Sequence, residues 1–232
     1  PAEPFQALAG RNPGKLSIAF STAALASPHP IDPECAEAVR AAARLCESLG
    51  HMVEEADPPY DAGVGTAGGY CTSAGTVAGL DTEADRRGRP IEQGDVEPLT
   101  WAMYQRGKAL KGSDYVRGLS AVHAYGRRMA AFHQRFDVLI MSTLGSPAIP
   151  IGHLTETGRG EDYAERLFAF MPNTQAFNIS GQPAITLPLG WSKSGLPIGI
   201  QFVAPIGAEA VLLQLASQLE QAQPWFDRVA PL

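Results

Sequence analysis

Three cysteines, five histidines and one literal Gly-x-Gly-x-x-Gly run are where this 232-residue chain offers reactive or ligand-binding groups. A cysteine acts as a nucleophile only as its thiolate, which a helix N-terminus or a neighbouring base favours. Cys71 follows a glycine-rich stretch, and a helix beginning near Tyr70 would place it in the first turn, yet no histidine lies nearby in sequence to serve as its base. The run Gly63-Val-Gly65-Thr-Ala-Gly68 matches a dinucleotide fingerprint letter by letter. That fingerprint needs its first glycine directly after a buried strand, because the turn must deliver backbone N–H groups to a pyrophosphate. Here the preceding residues are the acidic MVEEAD and then Pro58, Pro59, Tyr60 and Asp61, so the run reads as a flexible loop entering a helix.

The remaining candidates fail on spacing. His123 and His133 sit one step off an apolar helical stripe with no carboxylate at ligand spacing, which makes them boundary residues rather than metal ligands. Cys35, Cys46 and Cys71 are too widely spaced for a zinc knuckle, and an odd number at such spacing fits reduced thiols and a cytoplasmic protein. There is no Gly-x-Ser-x-Gly elbow, no His-Glu-x-x-His and no P-loop. Ser113 beside Lys111, and the pair Lys193-Ser194, read as turn residues, while Glu54-Glu55 and the acidic run from Asp81 to Asp85 read as solvated surface. No metal and no cofactor are expected.

Charge narrows the partners. With 18 Lys and Arg against 24 Asp and Glu the net charge is -6, and only Arg86, Arg87 and Arg89 cluster, as a solvated loop. Nucleic acid is therefore not an expected partner, since phosphate binding depends on clustered cations. No apolar run approaches the roughly 20 residues that span a bilayer, so no membrane is expected either. A 45% hydrophobic, 18% charged composition indicates a globular fold with a substantial core, and the chain reads as a single domain over residues 1–232. The opening PAEPFQALAGRNPG has no initiator Met and no signal-like pattern, and reads as the interior of a longer chain.

The elements that must position any site follow from periodicity. Lys15 to Ser21 alternates as a strand. Asp32 is placed as an N-cap with Pro33 at the first helical position, and Val39, Ala43, Cys46 and Leu49 recur at helical steps up to Gly50. Met52 to Ala56 completes a β-α-β unit. Helices are predicted over Glu97 to Lys111 and Asp114 to Arg135, separated by Gly112 and Ser113; the second carries Leu119, Val122, Tyr125, Met129, Phe132 and Phe136 on one stripe. It feeds Asp137 to Leu144, whose apolar centre suits a strand buried on both faces. The loop after it, from Ser142 to Pro147, lies at a carboxyl end, where α/β folds place ligands. A helix over Glu161 to Phe177 is broken at Pro172, and a last helix runs from Ala208 to Ala222 with Val211, Leu212, Leu215 and Leu219 inward.

Ala184 to Leu189 and Ile198 to Val203 form a hairpin pattern. One face carries Ile185, Leu187, Leu189, Ile198, Ile200 and Phe202; the other carries the small or polar set Ala184, Thr186, Pro188, Gly199, Gln201 and Val203. Alternation alone favours a structural hairpin, and a small face also allows a second backbone or a ligand to approach.

The stretch FNISGQPAITLPLGWSKSGLPIGIQFVAP, followed by a helix and QPWFDR, resembles the C-terminal block of the amidase signature family, FN-x-x-G-x-PA-x-(S/T)-x-P-x-G and then G-L-P-x-G-x-Q. The order KLSIAFS, DPECAEAVRAAARLCESLGHMVEEA, GRPIEQGDVEPLTWAMYQRG and FDVLIMSTL is similar to the second half of such enzymes, including the branch with 6-aminohexanoate cyclic-dimer hydrolases. The resemblance covers essentially the whole chain. It implies an α/β fold, a mixed twisted sheet flanked by helices that forms the C-terminal part of the amidase fold. It implies hydrolysis of a carboxylic amide through a Ser, cis-Ser, Lys triad, and the Gly/Ser-rich signature that carries those serines has no counterpart in this sequence. The expected partners are thus an amide substrate, an N-terminal amidase half and a possible homodimer. Cys71, Thr143, Leu144, Phe177, Asn178 and Gly181 are the candidate substrate-facing residues, with no catalytic residue on this chain. The competing expectation is a non-catalytic interaction module or partner subunit derived from the same fold.

Overall fold

The structure is a computed structural model that describes residues 3–154 and 160–231. A short helix α1 (Phe5–Ala9) precedes β1 (Ser17–Phe20), α2 (Pro33–Ser48) and β2 (Met52–Glu55). The start of α2 forms as its sequence dictates: the Asp32 carboxylate accepts the Glu34 N–H at 2.7 Å, and Pro33 fills a position that needs no donor. Helix α2 stops at Leu49, and Gly50 takes a φ of 94°, a left-handed turn that glycine adopts without a steric penalty. β1 and β2 then pair in parallel from Ser17↔Met52 to Phe20↔Glu55.

The centre of the sheet is β3 (Val138–Ser142), all five residues of which are buried. It pairs in parallel with β1 and antiparallel with β5 (Pro197–Val203), which pairs antiparallel with β4 (Ala184–Trp191). The mixed sheet has the order β2-β1-β3-β5-β4. At one edge, β2 shows solvent a charged surface, with Glu54 paired to Arg135 at 2.9 Å, the kind of edge that resists pairing with another strand.

Strand alternation divides the core. Ile18, Val138, Ile140, Leu187, Ile198, Ile200 and Phe202 face α2 and α8 (Glu209–Ala222), whose Leu212, Leu215 and Leu219 complete the layer. The opposite face presents Ala19, Leu139, Met141 and Val203 to Tyr125, Met129 and Phe177. These last three come from α5 (Gly112–Phe132) and α7 (Thr174–Ser180). Each fully buried aliphatic or aromatic side chain here contributes on the order of 2 kcal/mol. The hairpin faces and the inward residues of α8 thus match the sequence pattern.

On that second face, α3 (Ala62–Arg87) runs alongside α4 (Pro98–Ala109) and α5, and α6 (Gly160–Phe170) precedes α7. Among the described residues no helix is long and apolar enough to cross a membrane.

Four local expectations are corrected. Gly63 to Gly68 is not a loop: α3 begins at Ala62, with the Asp61 carboxylate accepting the Gly63 N–H at 2.8 Å. Each glycine costs a helix about 1 kcal/mol, and packing offsets that cost, because a Cβ on Gly68 would sit 2.6 Å from Ile179 Cδ1 of α7. Cys71 consequently lies in the third turn of α3 rather than the first, outside the reach of the helix dipole. Gly112 and Ser113 do not separate two helices but start α5, capped by the Asp114 carboxylate on the Lys111 N–H at 2.9 Å. The arginine cluster is not a free loop: Arg86 and Arg87 close α3 against Glu83, and Arg89 binds Asp95 at 2.6 Å.

Candidate functional site

The parallel strands β1 and β3 end side by side, so the loops that follow them share one edge of the sheet. Buried polar side chains hold those loops. The Ser21 hydroxyl donates to Asp57 Oδ1 at 2.5 Å, tying the end of β1 to the segment after β2. Asn173, fully buried at the break between α6 and α7, donates its side-chain N–H to the Ser142 carbonyl at 2.9 Å. Its oxygen accepts the Leu25 N–H at 3.1 Å. Backbone bonds reinforce the knot: Ala26 N–H to Pro172 O at 2.9 Å, and Gly145 N–H to Phe170 O at 2.8 Å. Pro172 therefore breaks a helix at a place where freed backbone groups find partners on two strand-end loops.

Beside this knot lies a small cavity of about 220 Å³ lined by Cys35, Ser142, Leu144, Ser146, Phe170 and Gly199 among others. Burial pushes the Cys35 thiol up to about 11, with a hydrogen bond to Ser142 opposing the shift. Cys46, in the core of α2, is pushed up to about 12 by burial. Both thiols are neutral at physiological pH and neither is a nucleophile.

On the far face of the sheet the hairpin is small and polar. The Thr143 and Thr186 hydroxyls pair at 3.1 Å, and the Thr143 N–H donates to the Gly199 carbonyl at 3.1 Å. A side chain at Gly199 would crowd both threonines: a Cβ would meet Thr186 Cγ2 at 2.7 Å and Thr143 Oγ1 at 3.2 Å. Ala184 and Thr186 are exposed, whereas Gln201, directly opposite Thr186 on β5, is buried, and its side-chain nitrogen has no partner among the described residues.

The six residues singled out in the sequence are only partly brought together. Thr143 stands on the open small face, while Leu144 lines the cavity with Cys35. Phe177 is 2% exposed and packs in the second core layer, so its ring fixes α7. Asn178 is exposed on the same helix, and Gly181 ends that helix at φ 73°. Cys71 is half-buried and follows Val64 and Gly68 at helical spacing, which puts it on the side of α3 that meets Ile179 of α7.

A larger recess of about 500 Å³ escaped the sequence reading. It lies between the loop after β1, the first turns of α3, and α4, α6 and α7, and its lining includes Leu25, Ser27, Tyr60, Arg106, Phe168 and Gln175. Burial, and secondarily the neighbouring Asp61 carboxylate, push the Tyr60 hydroxyl above its ordinary range. No periodicity marks these residues, because five separate segments contribute them. Among the described residues no group of His, Cys, Asp and Glu is arranged to hold a metal ion.

The Amidase family model matches residues 1–213. The chain is 34% identical to a 6-aminohexanoate-cyclic-dimer hydrolase of Paenarthrobacter ureafaciens, over 98% of this chain and 48% of that protein. It is 31% identical to a putative amidase of Mycobacterium leprae, over 92% of this chain and 45% of that one. A solved structure of 6-aminohexanoate cyclic dimer hydrolase complexed with substrate superposes with a TM-score of 0.81 at 32% identity, covering 97% of this chain and 48% of that one. A bacterial aryl acylamidase, at 20% identity and a TM-score of 0.78, shares the fold. The chain spans about half the length of the relatives it matches.

Proposed function

The chain belongs to the amidase family, and from that premise we propose that it forms one half of an enzyme that hydrolyses a carboxylic amide C–N bond to acid and amine, with the Ser, cis-Ser, Lys triad supplied from outside these 232 residues. One observation carries the reading. Asn173 and Ser21 hold together the loops after β1 and β3, at the end of the sheet where α/β folds place ligands, and the sequence has no Gly/Ser-rich run to present a nucleophile, which supports this reading. Its match to about half of the 6-aminohexanoate cyclic dimer hydrolases supports the same division.

In this account a serine on the other half attacks the amide carbonyl, the amine leaves with a proton, and water releases the acid from the acyl-enzyme. Donors placed where the carbonyl oxygen gains charge would belong to that half as well. This chain contributes walls. Thr143, Asn178, Gly181 and Cys71 border the substrate from α3, α7 and the end of β3, while Leu144 and Phe177 set the position of their backbone from within the packing. The small face of Ala184, Thr186, Gly199 and Gln201 receives the serine-bearing half, whose groups would satisfy the unpartnered Gln201 amide.

The test is an amide hydrolysis assay on the chain alone and after mixing with an N-terminal amidase half that contains the serine signature. The expected result is no turnover by the chain alone and turnover on mixing. Hydrolysis by the chain alone would overturn the assignment of the triad. Stable association without hydrolysis would favour an interaction module.

A further inference from the structure

We propose that the recess around Arg106 binds a carboxylate, and hence that the amide substrate carries a free acid group a few carbons from the bond that is cut; the second clause rests on the amidase reading above. The recess, at about 500 Å³, has the size of a small-molecule site. Among the described residues, Arg106 is the one charged residue in its lining. The neighbouring carboxylate is already engaged: Asp61 binds Arg128 at 2.7 Å and the Gly63 N–H at 2.8 Å. Two other cations on these helices are matched, Lys108 on Asp81 and Arg117 on Asp114, while Arg166 of α6 has a buried Nε with no partner among the described residues. Arg106 has no carboxylate partner among the described residues. Its guanidinium lies 5.5 Å from the Tyr70 ring centroid, which orients the group without consuming its donors.

The rest of the lining suits such a ligand. Tyr60, Ser27 and Gln175 offer further polar atoms, and Leu25, Ala26 and Phe168 make an apolar wall for a short aliphatic chain. A guanidinium can clamp both oxygens of a carboxylate, a geometry that a neutral amide of the same shape cannot match. The position also fits the proposed route to the cut bond, because Gln175 of the lining stands one turn before Asn178 on the same side of α7.

Titration calorimetry of the chain with pentanoate and with pentanamide tests the recess without any hydrolysis. Pentanoate is expected to bind at least tenfold more tightly than pentanamide. Arg106→Gln should erase that difference, and Arg106→Lys should keep part of it. Equal binding of acid and amide by the unaltered chain, or unchanged pentanoate binding by Arg106→Gln with native circular dichroism, would overturn the proposal. The substrate claim has its own readout once a serine-bearing half restores turnover. Arg106→Gln should raise KM at least tenfold for the mono-4-nitroanilide of glutaric acid, leave its kcat unchanged, and leave both constants unchanged for the 4-nitroanilide of pentanoic acid. A uniform loss on both substrates would refute a carboxylate subsite. Failure to restore any turnover, with selective pentanoate binding intact, would count against the two-half enzyme and not against the recess.

Discussion

The side chain of Asn173 donates to the backbone carbonyl of Ser142 at 2.9 Å and accepts the N–H of Leu25 at 3.1 Å. One buried amide thus joins the loops after β1 and β3 to the break between α6 and α7. Asn173→Ala removes both partners and strands a buried carbonyl and a part-buried N–H, so unfolding should become easier by about 2 to 4 kcal/mol in urea titrations. Asn173→Asp keeps the acceptor but points a charge at the Ser142 carbonyl, and should be at least as damaging. A variant as stable as the parent would mean that the strand-end loops are held by their backbone bonds alone.

Gly199 leaves room for two threonines. The 2.7 Å approach to Thr186 Cγ2 makes Gly199→Ala an overpacking change, expected to cost about 1 to 3 kcal/mol. Thr186→Ser deletes the offending methyl and keeps the hydroxyl that meets Thr143. The double variant should recover most of the loss, a coupling visible in a double-mutant cycle. Additive costs would show that the glycine is required for some other reason.

What was legible beforehand follows the physics of each signal. α2, the hairpin and α8 could be read because their burial is periodic: Ile198, Ile200 and Phe202 point one way along β5, and Leu212, Leu215 and Leu219 one way around α8; β3 is legible instead as an unbroken apolar run, buried throughout. The start of α3 was misread because glycine propensity is local while the compensation, Gly68 against Ile179, comes from a residue more than a hundred positions away. The family resemblance pointed correctly to the fold and to amidases, since the block from Phe177 to Pro205 is a pattern of residue types rather than of contacts. Neither kind of signal reaches Arg106 or Asn173. One is distinguished by the partner it lacks and the other by partners on two distant loops.

His133 gives the fold an acid-sensitive point. Its Nδ1–H donates to the Phe136 carbonyl at 2.8 Å, its other ring nitrogen is buried with no partner among the described residues, and burial holds its pKa below 6.5. The depressed folded value means that the unfolded chain binds the extra proton first. The contribution is therefore complete above 6.5 and is lost as pH falls through that value towards the folded one. Denaturant midpoints measured from about pH 7.5 down to about pH 5 should decline for the parent chain and decline less for His133→Gln. Glu83, held at about 2 by hydrogen bonds from Arg86 and Arg87, titrates well below that window and leaves it clear. Equal slopes for the two proteins would remove His133 as the source.

Cys71 differs from the other two thiols in access. Cys35 and Cys46 are 1% and 0% exposed, with thiols pushed to about 11 and about 12, so at about pH 8 they are both shielded and protonated. Cys71 is half-buried on the side of α3 that meets α7. Iodoacetamide should therefore modify a single thiol per native chain, as read by intact mass, and Cys71→Ser should abolish that reaction while leaving the two remaining thiols reactive in denaturant. The same label bears on the site. If Cys71 borders the substrate, binding of a serine-bearing half together with an amide inhibitor should slow its alkylation several-fold, whereas the half alone should slow it less. Undiminished labelling in the inhibited assembly would move Cys71 out of the site and leave it as a residue of the α3–α7 contact.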